Sequence, residues 1–86
     1  MSHERPHWWD WEIEFSGHIE KRMLQRGFSE VDLRTMLDDV LEIAPAREEG
    51  RWQIICRFEG TEWKVILEPR EDHQTIEAIT AFPLNE

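Results

Sequence analysis

Ser29–Pro45 reads SEVDLRTMLDDVLEIAP, and the rest of the chain takes its place on either side of it. Ser29 stands where a helix N-cap belongs. Glu30 and Asp32 follow it in the first turn, where the helix dipole favours negative charge. Leu33, Met36, Leu37, Val40 and Leu41 recur at i, i+3, i+4, i+7 and i+8, the spacing of one apolar face on a 3.6-residue period. Ala44-Pro45 ends the run, because proline has no N–H with which to continue a helix. The stretch reads as one amphipathic helix.

Before it, Ser16-Gly17 offers a second N-cap and a helix follows through Arg26. Ile19 and Met23 are its buried stripe at i, i+4, and Gly27 suits the left-handed residue that closes it. Trp9, Trp11, Ile13 and Phe15 alternate with Asp10, Glu12 and Glu14, the period of two expected of a half-buried strand. After Pro45, the charged loop Arg47–Gly50 leads into a strand on which Trp52, Ile54, Cys56 and Phe58 share a face. Glu59-Gly60-Thr61 turns the chain into Trp63–Glu68, whose Val65-Ile66-Leu67 run suits a central strand. Pro69–His73 is a further turn and Thr75–Phe82 the last strand. The expected fold is α+β in the order β-α-α-β-β-β: an antiparallel sheet with two helices packed on one face.

Eighty-six residues make a single domain, 1–86, with residues 1–7 expected as a flexible arm and 84–86 as a tail. A chain this short buries only ~60–65% of its unfolded surface, so its core has to be compact. The composition, 40% hydrophobic and 34% charged, is that of a soluble globular protein. Cys56 is the only cysteine, which rules out an intrachain disulfide and fits a reducing, cytoplasmic setting. No signal-peptide pattern opens the chain and no apolar run is long enough for a membrane span. The formal net charge of −9 argues against generic nucleic-acid binding, since phosphates reward basic surfaces. A local basic cleft is still compatible with it, because fields act over a Debye length of ~10 Å.

Positive charge does gather in one place. Ser16–Gly27, SGHIEKRMLQRG, holds Lys21, Arg22 and Arg26 against Glu20 alone. On a helix, His18, Arg22 and Gln25 lie along one edge, with Arg26 slightly round toward the apolar stripe. Histidine exchanges protons near neutrality, and arginine presents a planar fork of donors that matches a phosphate. Together they are what metal-free phosphodiester cleavage needs, the histidine moving a proton and the arginines holding the charge on phosphorus. The structural alternative is that His18 caps or packs near the helix start while the arginines pair with Glu12, Glu14 or Glu30.

Arg57 points away from the Trp52–Phe58 face. It either shares a pocket with the helix arginines or pairs across strands with Glu62 or Glu68. Thr80 is placed to donate a hydrogen bond from the last strand. Trp8 and Trp9 point opposite ways, so one of them either anchors a partner or is covered by a neighbouring element. His3 and His7 lack Cys or acid partners at zinc-ligand spacing, and there is no Gly-rich phosphate loop, so neither metal nor cofactor is expected. Cys56 alternates with core aromatics and reads as core rather than nucleophile.

The strings HIEKRMLQRGFSEVDL (His18–Leu33), RWQI (Arg51–Ile54), GTEWKVILEP (Gly60–Pro69) and TAFP (Thr80–Pro83) together carry a resemblance. They resemble small bacterial RelE-like domains with the pattern H-x-x-x-R-M-x-x-R-G-[IF]-[ST]-x-x-D-[VL]. These are grouped with toxin ribonucleases of the barnase–EndoU–colicin–RelE class, near the BrnT toxins. The resemblance implies a metal-free endoribonuclease of a toxin–antitoxin system, with an RNA cleft between helix and sheet. His18, Arg22 and Arg57 would be catalytic, and Arg22, Arg26 and Thr80 would bind RNA phosphate. An antitoxin or other protein partner would dock on Trp8 and Trp9, and the open sheet edges would suit a homodimer. A non-catalytic interaction module on the same scaffold is the alternative, favoured by the acidic balance and the exposed aromatics. A nuclease gathers its arginines in one cleft, whereas a module leaves them paired with acids.

Overall fold

The computed structural model describes residues 5–84. Two serine caps start the helical layer. Ser16 Oγ accepts from the Ile19 N–H at 3.2 Å and opens α1, Gly17–Arg26. Gly27 closes it at φ 72° and ψ 36°, a left-handed conformation that glycine adopts without a Cβ clash. Ser29 opens α2, Glu30–Met36, with a reciprocal capping box: its hydroxyl accepts from the Asp32 N–H while Asp32 accepts from the Ser29 N–H.

The second helix is far shorter than its apolar spacing predicts. It stops at Met36, with Leu37 as C-cap, and Val40–Pro45 is a strand. The consecutive Asp38 and Asp39 are poor helix residues, and β-branched Val40 and Ile43 favour extended backbone. A bulge between Val40 and Glu42 explains the misleading spacing. Val40 pairs with Cys56 and Ile43 with Ile54, so two residues three apart face the same core, as they would on a helix.

The strands are β1 (Glu12–Phe15), β2 (Val40–Pro45), β3 (Trp52–Phe58), β4 (Thr61–Arg70) and β5 (Thr75–Pro83). They form one five-stranded sheet in the order β1-β5-β4-β3-β2. The chain order is thus β-α-α-β-β-β-β, and the sheet is mixed rather than antiparallel, because β1 runs parallel to β5. β4 is central, as its apolar run requires. β3 and β4 meet in a two-residue turn, Glu59 (φ 52°) and Gly60 (φ 77°), whose positive angles match the twist of a tight hairpin. β1 is shorter than the alternation from Trp9 suggests, since residues 7–10 form a turn in which Trp9 N–H bonds Pro6 C=O.

One face of the sheet carries the core. Ile54, Cys56, Val65, Leu67, Ile76, Ala78 and Ala81 are buried there against Ile19, Leu33 and Met36 of the helices. Phe28, Phe58 and Trp63 pack edge-to-face in one aromatic group, and Trp8, Trp9 and Trp52 form a second. Among the described residues no helix covers the opposite face. It presents Glu12, Glu14, Gln53, Arg57, Lys64 and Glu77 by alternation along the strands. No helix among the described residues is long and apolar enough to cross a membrane.

Both ends of the chain are tied down within the described residues. His7 Nε2 lies 2.9 Å from Glu71 Oε2, Arg5 stacks over Trp9, and Leu84 N–H bonds Glu62 C=O at 2.8 Å. The expected arm and tail are therefore contacted at residues 5–7 and 84; His3 lies outside the described residues.

Ser16 also donates from Oγ to Ile79 C=O, joining the start of α1 to β5. Ser16→Ala removes both a cap and this link, whereas Ser29→Ala removes a cap alone. The expected costs are ~1–2 kcal/mol for Ser16→Ala and ~1 kcal/mol for Ser29→Ala, read from urea unfolding midpoints. Equal costs would show that the link to β5 contributes nothing.

Candidate functional site

The residues expected to cleave RNA are divided between the two faces of the sheet. His18 is exposed in the first turn of α1. Arg22, one turn on, donates from Nη1 to Gln25 Oε1 at 3.3 Å, and Arg26 is half-buried in the last turn. α1 lies on the core side of the sheet, over β5. Arg57 pairs in register with Glu62, and Thr80 with Ile66, which places both on the helix-free face. Of the two alternatives for Arg57, the pocket shared with the helix arginines does not form, because the sheet stands between them, and among the described residues no ion pair joins Arg57 to Glu62 or Glu68.

The reason is the period of the strand. Cys56 is fully buried under the helices, so its neighbour Arg57 must point to the other side. Thr80 reaches that side through the β5 bulge, which sets Ala78 and Ala81 both inward.

On the helix-free face, two arginines are matched by acids. Arg51 bonds Glu68 at 2.9 Å and Glu48 at 3.1 Å, and Arg70 bonds Glu77 and lies 3.4 Å from Glu68. The hydrogen bond to Glu68 holds the Arg51 pKa above its ordinary value, and the bond to Glu77 does the same for Arg70. These five side chains form one alternating chain of charge, bound to itself rather than open to a phosphate.

A concave site lies elsewhere. A cavity of about 270 Å³ opens between the turn before β1 and the end of α2. Ile13, Leu67 and Ile76 of the sheet line its depth. Trp9 and Trp11 line it from the turn, and Arg34 and Leu37 from α2. Asp10 and Asp38, both exposed, complete the lining. The Trp11 ring is held edge-on by His7 at 5.6 Å, itself paired with Glu71, and Arg34 lies over Phe15 at 5.9 Å.

Of the two tryptophans expected at a partner surface, Trp8 has gone into the core, 2% exposed and packed on Trp52, while Trp9 lines the cavity. Asp10, Arg34 and Asp38 escaped the sequence reading. Asp10 resembled the outward acid of a strand, and Asp38 a solvated position on a longer helix. The Asp38-Asp39 pair was the available signal, since two aspartates in a row mark a helix end.

Cys56 has its Sγ 3.8 Å from Trp63 C=O and no exposed surface, which suits core and not nucleophile. Among the described residues no group of three His, Cys, Asp or Glu side chains is placed to hold a metal ion. In comparisons with known proteins, no family model, no curated protein and no solved structure matches the chain.

Burial pushes the Cys56 thiol from 9.0 up to about 12, with the Asp39 charge adding to the shift. The unfolded thiol ionises first, so its contribution to stability is complete below pH 9.0 and is lost as pH rises toward about 12. Relative to Cys56→Val, the native protein should lose up to ~1.4 kcal/mol per pH unit above that threshold. Urea unfolding of both proteins at about pH 8 and about pH 10 measures this. A pH-independent difference would show that the thiol is not desolvated.

Proposed function

We propose that the protein is a non-catalytic, protein-binding module on a RelE-like scaffold, acting in the cytoplasm, where its lone thiol stays reduced. The observation that carries this reading is the division of the basic residues by the sheet. His18 and Arg22 are on one side, Arg57 is on the other, and Arg51 and Arg70 are engaged by Glu48, Glu68 and Glu77. Cleavage of a phosphodiester needs its proton-transfer group and its charge-stabilising donors to converge on the same phosphate. Here Arg57 lies across the sheet from His18 and Arg22, so the three cannot act on one phosphate.

A charge of −9 further disfavours a polyanion substrate, because each phosphate contact would have to overcome the field of the surrounding carboxylates. Proteins are the better partners. The tryptophan-lined cavity offers the kind of half-covered aromatic surface that anchors protein interfaces.

The test against a toxin ribonuclease is direct. Purified protein incubated with total RNA should leave it intact, and induction in bacteria without an antitoxin should not arrest growth. His18→Ala should behave identically in both assays. RNA fragmentation by the native protein that disappears in His18→Ala would overturn the module and restore the nuclease, with His18 catalytic.

A further inference from the structure

We infer that the cavity between the turn before β1 and the end of α2 receives an arginine side chain from the partner protein; this rests on the binding-module reading and names its ligand chemistry. Size comes first. At about 270 Å³ the cavity lies at the small end of ligand pockets and has room for one long side chain.

The lining selects a flat cation. Trp9 and Trp11 contribute indoles, the ring system that attracts cations best. Asp10 and Asp38 add two carboxylates, and among the described residues neither has a side-chain hydrogen bond or ion pair. The one cation in the lining, Arg34, lies over Phe15 at 5.9 Å rather than on either carboxylate. Guanidinium fits this set better than ammonium, because it stacks on indole and forks onto a carboxylate at once. The protein already shows the stacking half of that contact, with Arg5 lying 5.0 Å from the Trp9 ring centre. Ile13, Leu67 and Ile76 in the depth of the cavity give the methylene stem an apolar surface. The net charge of −9 steers a basic segment toward the protein as a whole.

The test is a titration of the isotope-labelled full chain, followed through its tryptophan indole N–H signals. The probe is a capped peptide with one arginine between glycine and serine residues, and its controls carry citrulline or glutamate in that place. The expected result is a saturable shift of the Trp9 and Trp11 signals with the buried Trp63 signal unmoved. Asp10→Asn and Asp38→Asn should each weaken binding by roughly two- to fivefold, and Arg34→Gln should tighten it by a similar factor. Added salt should weaken it further. Equal binding of the citrulline peptide would overturn the inference, as would binding of the glutamate peptide with loss on Arg34→Gln, which marks an anion site. So would the absence of any shift at about 5 mM peptide, where even a millimolar complex is well populated. Total RNA incubated with the same protein separates the two readings. Intact RNA with no shift defeats the arginine pocket and leaves the module standing, whereas cleaved RNA defeats the module itself.

Discussion

The parallel pairing of β1 with β5 is the constraint on which the rest of the molecule depends. Glu12 pairs with Thr75 and Phe15 with Ala78, joining the first strand to the last. β2 lies at the opposite edge of the sheet, so the chain between β1 and β2 has to cross its whole width. α1 and α2 are that crossing, the first against β5 and the second against β3. From β2 the chain returns strand by strand through three antiparallel pairings until β5 meets β1. Parallel neighbours need a long connection, and here the connection is the rest of the domain. Ser16 fastens the crossing at its start, with its N–H on Ala78 C=O and its hydroxyl on Ile79 C=O.

The same pairing makes the cavity. Because β1 lies beside β5, the turn that precedes it comes to rest near the end of α2, with Trp8 packed against Trp52. The gap left between turn and helix is lined by whatever those two segments carry, which is two indoles, two aspartates and an arginine. Nothing in either segment alone makes a site. The sheet meanwhile acts as a partition. It separates the exposed edge of α1 from the Arg57 face, and on that face glutamates take up Arg51 and Arg70. Among the described residues Glu48, Glu68 and Glu77 are engaged by Arg51 and Arg70, whereas Asp10 and Asp38 at the cavity have no side-chain partner.

Local signals were read well wherever they acted within one turn of chain. Both serine caps, the left-handed Gly27 and the Glu59-Gly60 hairpin turn are as the residues themselves dictate, since each depends on contacts among immediate neighbours. The face of β3 and the central position of β4 were legible for the same kind of reason, a period of two or an unbroken apolar run. β2 was not. Its bulge shifts the alternation by one residue, and Val40 and Ile43 then imitate the i, i+3 spacing of a helix. A bulge is a property of the pairing with β3, so no window on β2 alone reveals it.

The candidate site divides along the same line. That Trp8 and Trp9 point apart was readable from adjacency, but which of them would be covered depended on Trp52, more than forty residues away in the chain. That Arg57 faces away from the Cys56 side was readable from alternation. That the helices lie on the Cys56 side, leaving His18 and Arg22 across the sheet from Arg57, was not. By itself the sequence determined the caps, the turns, the two helix starts and the inward or outward sense of most strand residues, because these follow from sterics and hydrogen bonds within a few residues. Only the tertiary structure decided the parallel partner of β1, the strand character of Val40–Pro45 and the meeting of Trp9, Trp11, Asp10, Arg34 and Asp38 around one cavity. Those depend on contacts between segments distant in sequence, whose free energy exists only once the sheet has formed.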